Sequence, residues 1–251
     1  MKRLVISILL LTFPFSLLQG LAQNNPSVEK VGKRLVTADY PTVFGEHWTG
    51  AITYAEEQRF VWDSLFAVYG VDRQLAEAVV FPELVRYSKF RDSIEKATMR
   101  RLYAHGGSEL GNFSIGVFQM KATFAERIET LWMQTDWSTQ YGLSFDLADN
   151  KFYRQKRLER LCSTEWQCVY LALFLKIVPR LYPQMKTLSE DDRVRFLATA
   201  YNYSFSAPFD KIMGETAIPR FHVDIVEREK TTYYSYADIA LAHWHDINKG
   251  E

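Results

Sequence analysis

The sequence predicts a mainly α-helical domain, and three observations predict it. Apolar residues recur at helical spacing through most of the chain after residue 45. Few segments show the two-residue alternation of a half-buried strand. The periodic runs are punctuated by residues that start or stop helices. Nearly half of the 251 residues are apolar (47%), so a substantial core is available.

The elements follow in chain order. Ala51, Ala55, Val61, Leu65 and Val68 suggest a first helix, stopped by Gly70. Asp72 is suited to cap a second helix carrying Leu75, Ala76, Val79 and Val80. Pro82 lacks the N–H a helix interior needs, so the second helix is expected to end or kink there. Phe90, Ile94, Ala97 and Leu102 mark a third helix, ended by Gly106-Gly107. Ser108 to Gln119 reads as a loop or a short hairpin, with glycines at 111 and 116. Phe124, Ile128, Leu131 and Trp132 resume the helical pattern, and a long apolar helix runs from about Trp166 to Val178. Ser189 with Asp192 three residues on resembles a capping box opening a helix through Val194, Leu197, Ala198 and Tyr201. A last helix spans roughly Ser235 to Ile247.

The first residues bear on the compartment. Lys2 and Arg3 precede an apolar run from Leu4 to Leu18, and Gly20-Leu21-Ala22 offers small residues ahead of polar Gln23-Asn24-Asn25. That is the pattern of a cleavable secretory signal over residues 1–22, short for a membrane span of ~20 apolar residues. Residues 23–45, with Pro26, Gly32, Pro41 and Gly45, read as a loose arm leading into a domain over residues 46–251. No later stretch looks like a transmembrane segment, so the expected location is periplasmic or secreted.

Charge and rare residues exclude several classes. Lys plus Arg and Asp plus Glu both number 30, which is not the basic footprint of a nucleic-acid binder. The two cysteines, Cys162 and Cys168, form a disulfide in an oxidising compartment only if a turn separates them, and Ser163-Thr164-Glu165 is placed to supply it. His243-Trp244-His245-Asp246 invites a metal reading, but helix positions two apart diverge. Neither a metal nor a cofactor is implied. The many aromatic rings suit either a large core or a groove that stacks on sugars.

Three segments carry candidate chemistry. In Ala78 to Val85, Glu83 sits inside an apolar run directly after Pro82. Lost hydration disfavours the charged carboxylate and raises its pKa, the shift a general acid for glycoside cleavage needs. In Gly111 to Met120, glycines permit a tight turn and close approach to a ligand, and Gln119 can both donate and accept. In Leu197 to Tyr203, small Ala198 and Ala200 allow close packing, and Tyr201 and Asn202 offer polar groups at a helix end.

Taken together and in this order, the segments resemble the soluble lytic transglycosylase and goose-type lysozyme group. The resemblance rests on Glu83 ending an apolar helix, then Gly116-Val117-Phe118-Gln119, then Ala200-Tyr201-Asn202, and it covers about Val68 to Tyr203. It implies a lysozyme-like helical domain with a glycan-binding cleft, acting on peptidoglycan strands. By this resemblance Glu83 is the acid, Tyr201 orients its carboxyl, and Gln119 lines the sugar cleft. Gly116, Ser114, Phe118 and Asn202 are read with it as substrate-binding. A further family element, Glu-Thr followed by tyrosine, is echoed in Glu229 to Tyr234, which puts Tyr234 or Tyr236 within reach of the cleft. The chain departs from the family at Leu84, at Tyr203-Ser204 and in the length between Glu83 and Gln119.

The resemblance leaves three readings open. Glu83 alone supports a lytic transglycosylase that closes an anhydro ring on MurNAc. With Glu109 as a second carboxylate ~6.5–9.5 Å away, water would be activated and the enzyme would be an inverting muramidase. Glu109 is otherwise a solvated loop charge, so the transglycosylase reading is preferred. The departures keep a third alternative, a non-catalytic member that binds glycan or scaffolds protein partners in an envelope machine.

Overall fold

A computed structural model of the chain describes residues 38–90, 113–224 and 229–249. The expected signal, most of the arm, the expected third helix and Glu109 lie outside the described residues.

The protein is mainly α-helical, with ten α-helices among the described residues and one two-stranded hairpin. In chain order these are α1 (Tyr40–Phe44), α2 (Glu46–Val68), α3 (Arg73–Phe90), β1 (Ser114–Ile115), β2 (Met120–Lys121), α4 (Ala122–Met133), α5 (Trp137–Gln140), α6 (Lys151–Cys162), α7 (Thr164–Leu181), α8 (Glu190–Asn202), α9 (Phe209–Glu215) and α10 (Tyr236–Asn248).

The folded unit begins at Asp39, so the arm gives way to structure earlier than residue 46. Asp39 caps α1 through Thr42, and both Tyr40 and Phe44 are buried against the Tyr234 ring. On α2 the expected face is displaced by one residue. Ala51 and Ala55 are buried as expected, but Trp48, Trp62 and Phe66 complete the face while Val61 and Val68 stay exposed. Bulky aromatics set which side turns inward, and the shared Ala positions fit either register.

Helix α3 opens on the Asp72 side chain, which accepts from the Gln74 amide at 2.8 Å. It does not end at Pro82 but runs on to Phe90. Pro82 withholds one backbone hydrogen bond, a loss of ~3 kcal/mol in an isolated helix. Here the ten residues Ala76–Val85 are all buried, with α3 packed against α2, α8 and α10, and that burial holds the helix through the break. The second central helix, α7, is buried along most of Gln167–Val178 and packs on α2, α4 and α6.

Helices α6 and α7 meet at Ser163 with a bend of 98°. No single helix among the described residues is long and apolar enough to cross a membrane; this bent pair passes only when its two parts are added together. The expected turn between the cysteines therefore exists, yet Cys162 and Cys168 are unbridged. Cys162 is exposed, whereas Cys168 is buried on α7.

Two buried polar clusters pin helices together. Glu129 on α4 accepts from Arg157 of α6 at 2.8 and 2.7 Å and from the Tyr170 hydroxyl of α7 at 2.5 Å. Arg73 and His243 both meet Glu77, the latter at 2.7 Å, tying α10 to α3. His245, two residues from His243, faces outward to Asp191 at 2.8 Å, so the pair diverges as helix geometry requires.

Breaking a buried ion pair by removing one partner strands the other charge. Arg157→Ala is expected to lower unfolding free energy by about 3–5 kcal/mol in a denaturant titration. A loss below about 1 kcal/mol would show that Glu129 does not depend on Arg157.

Candidate active site

The hairpin places the polar segment. Ser114 pairs with Lys121 and Ile115 with Met120, and the turn spans residues 116–119. Gly116 has φ +72° and Gln119 has φ +50°. The first suits glycine; the second is uncommon for a side-chain-bearing residue and marks a locally constrained backbone. The Gln119 side-chain amide donates back to the Gly116 carbonyl at 2.6 Å, which offsets part of that strain.

A clamp behind the turn explains Gly116. Gln167, buried on α7, accepts from the Phe118 amide at 2.9 Å and donates to the Ile115 carbonyl at 3.2 Å and the Leu161 carbonyl at 2.6 Å. A Cβ on Gly116 would fall 1.5 Å from the Gln167 amide nitrogen. The turn is thus pressed against α7, and only a hydrogen fits between them.

In front of the hairpin lies a cleft of about 450 Å³. One wall is α3, with Glu83 and Arg86. The second is the hairpin and the start of α4, with Ser114, Gln119, Lys121 and Thr123, and with Arg127 further along. The third is the end of α8 and the segment after it, with Tyr201, Asn202 and Ser204.

Glu83 is buried, and burial pushes its carboxyl up to about 7. The positive charges of Arg86 and Lys121 and a hydrogen bond from Asn202 pull the other way without overcoming desolvation. Its Oε2 is sealed from solvent and has no hydrogen-bond partner among the described residues. A carboxyl held near 7 can hold a proton and release it close to neutrality.

The structure brings Glu83, Ser114, Gln119, Tyr201 and Asn202 to one cleft, as the motifs led one to expect. Their contacts differ from those the motifs suggested in several places. The Tyr201 hydroxyl donates to the Phe118 carbonyl at 2.7 Å and so braces the hairpin, while Asn202 supplies the hydrogen bond to Glu83. Tyr201 does feel the Glu83 charge, which with burial holds its phenol well above the usual range. Phe118 does not line the cleft; it is fully buried against Trp62, with ring centres 5.4 Å apart. Gly116 lies against Gln167 of the clamp. Tyr234 also lies elsewhere, bridged through its backbone to Phe221 and packed on α1. The tyrosine near the acid is Tyr236. Its hydroxyl is buried without a hydrogen-bond partner among the described residues, and its phenol is raised by burial and by the charge of Glu83.

The sequence reading missed Arg86, Lys121, Arg127 and Gln167. Arg86 stands one helical turn beyond Glu83, so its position was available once α3 was known to continue past Pro82. Gln167 sits about 50 residues from its partners in the hairpin, and no local pattern announces it.

The Glu83 carboxyl should titrate near 7 by carbonyl NMR, and Asn202→Ala should move it higher, because the Asn202 bond favours the charged form. The same shift acts on stability. Between about 4.5 and 7 the unfolded chain ionises Glu83 while the folded chain keeps it protonated, so stability falls as pH rises through this window and then levels off. Glu83→Gln should therefore be more stable than wild type above pH 7, by roughly 3 kcal/mol at most. Equal stabilities at pH 8 would mean that the carboxyl is not desolvated. Separately, Gly116→Ala should lower the melting temperature, since the left-handed backbone alone disfavours alanine by ~1–2 kcal/mol and the clamp must also shift; an unchanged melting temperature would show that Gln167 yields freely.

Comparison with protein-family models, with curated proteins and with solved structures finds no match to this chain.

Proposed function

We propose that this protein is an exported lytic transglycosylase that cleaves the MurNAc–GlcNAc β-1,4 bond of peptidoglycan, with Glu83 as acid and then base. One observation carries the reading. A single desolvated carboxyl, raised to about 7, opens onto a cleft in which no other Asp or Glu is found among the described residues. The order of the motifs along the chain and their meeting at that cleft support it further.

The chemistry needs one proton carrier. Protonated Glu83 gives its proton to the glycosidic oxygen as the bond to the MurNAc anomeric carbon breaks. GlcNAc leaves with a free 4-hydroxyl, and positive charge develops on the MurNAc ring. Carboxylate Glu83 then takes the proton of the MurNAc 6-hydroxyl, whose oxygen bonds the anomeric carbon and closes a 1,6-anhydro ring. The acid is regenerated and no water is consumed. The Asn202 hydrogen bond and the Arg86 and Lys121 charges stabilise the carboxylate between the two transfers. Gln119 and Ser114 offer the donors and acceptors that sugar hydroxyls and acetamido groups require.

The test is digestion of purified sacculi by the mature protein, read by mass spectrometry. Wild type should release 1,6-anhydro ends, and Glu83→Gln should lose turnover by ~10²–10⁴-fold or more. Since the protonated form is the acid, turnover should fall as pH rises through about 7. Reducing ends that vanish in Glu109→Gln would instead identify a hydrolytic muramidase. Binding to sacculi without turnover would identify a scaffold protein.

A further inference from the structure

We propose that the groove where α6 bends into α7 is a second sugar site, separate from the cleft, which takes a pyranose bearing a carboxylate: Arg160 and Lys156 hold the carboxylate, and the ring lies against Trp166.

The groove has a volume of about 450 Å³ and shares no residue with the cleft that holds Glu83. The 98° bend at Ser163 brings its sides together. Tyr153, Lys156 and Arg160 come from α6, and Trp166 comes from the first turn of α7. Ser144 and Asp146 come from the segment between α5 and α6. Nothing at this groove depends on what Glu83 does.

Arg160 is the under-satisfied group. It lies over the rings of Phe145 and Trp166, 5.0 and 5.5 Å from their centres, so rings hold it in place where an acid would hold most arginines. Its one ion pair among the described residues is a 3.5 Å contact with Glu129. The oxygens of Glu129 are already engaged by Arg157 at 2.7 and 2.8 Å and by the Tyr170 hydroxyl at 2.5 Å. The Arg160 Nε is sealed from solvent with no hydrogen-bond partner among the described residues. A guanidinium carries N–H donors on all its nitrogens and no acceptor. This one is mostly buried, with 16% of its side chain open. Buried donors short of acceptors are costly, and an anion in the groove supplies acceptors to the part that lies open.

Lys156 stands one helical turn away, about 6 Å along α6. It too rests on rings, with Nζ 4.3 Å from the centre of Phe152 and 5.9 Å from that of Tyr153. It makes no ion pair among the described residues, although its charge reaches Asp146. Elsewhere basic side chains sit on carboxylates, as with Arg73 and Glu77 or Arg157 and Glu129. Two long cations one turn apart can converge on a single carboxylate.

The other groups select a sugar over a bare anion. Asp146 and Glu159 set two carboxylates beside the two cations, so a small free anion meets repulsion as well as attraction. Ionised carboxylates accept from hydroxyls. The Tyr153 hydroxyl and the Ala148 amide, at 2.9 Å, both donate to Asp146; they hold its carboxyl below the usual range and fix its position. Ser144 offers a hydroxyl that donates or accepts. Half-buried Trp166 offers apolar ring surface to the C–H face of a pyranose. A sugar acid uses all of these at once. A neutral sugar leaves Arg160 unmet, and a simple carboxylate leaves the hydroxyl acceptors unused.

Calorimetry on the purified protein tests the site with four probes: tetragalacturonate, its full methyl ester, N-acetylmuramic acid and acetate. One or both of the acidic sugars should bind, and the tighter of the two names the source of the ligand. The methyl ester keeps the rings and loses the charge, and acetate keeps the charge and loses the ring; each should bind about tenfold more weakly or worse. Arg160→Gln should weaken the acidic sugar about tenfold or more. Lys156→Gln, at an exposed position, should weaken it about twofold to fivefold. The second variant keeps the test decisive if Arg160→Gln fails to fold. Absence of binding by both acidic sugars overturns the proposal, as does equal binding of the methyl ester or of acetate. Binding that survives Arg160→Gln and Lys156→Gln but is lost in Arg127→Gln places the acid in the cleft and overturns it too.

Discussion

Everything at the cleft depends on keeping one carboxyl dry inside a stretch of helix, Ala76–Val85, that is buried on every side. Helix α3 buries ten successive residues, and Glu83 is among them. Charging that group in place is unfavourable, so the fold holds its acid in a protonated form that an exposed glutamate would lose near pH 4. The neighbours that soften the penalty, Arg86, Lys121 and Asn202, come from three different elements. The acid is consequently a property of the packed domain and not of its own segment.

The second constraint is mechanical. The hairpin that carries Ser114 and Gln119 is too short to hold a shape by itself, since it has only two residues in each strand. Its geometry is imposed from outside, by Gln167 behind and by the Tyr201 hydroxyl from α8. Tyr201 therefore links the wall that presents hydroxyl partners to the helix that ends in Asn202. The hydroxyl expected at the Glu83 carboxyl donates to the Phe118 backbone carbonyl.

Much of the helical architecture was legible because caps and period are local. Asp72, Ser189 and Ser235 start helices in sequence and in structure alike. The failures share a cause. Proline at 82 is a helix stop by local rules, and burial against three other helices overrules it. Val61 and Val68 fit the apolar spacing of α2, but Trp62 and Phe66 have more surface to bury and take the inward side. At the site, the residues that form short motifs came together. The one that supports them from behind, Gln167, is defined by contacts across the fold and leaves no trace in any single window.

Strand β2 passes into α4 without a single intervening residue. That junction makes the hairpin and the helix one lever, and the far part of the lever is fixed by Glu129 to α6 and α7. A swing of Gln119 away from Glu83 would have to drag a buried ion pair with it. The opposite jaw carries no such tether at its rim, where Ser204 and Ser206 follow the end of α8 outside any helix or strand. One jaw is thus tied to the core by a buried ion pair, and the other ends in a segment outside any helix or strand.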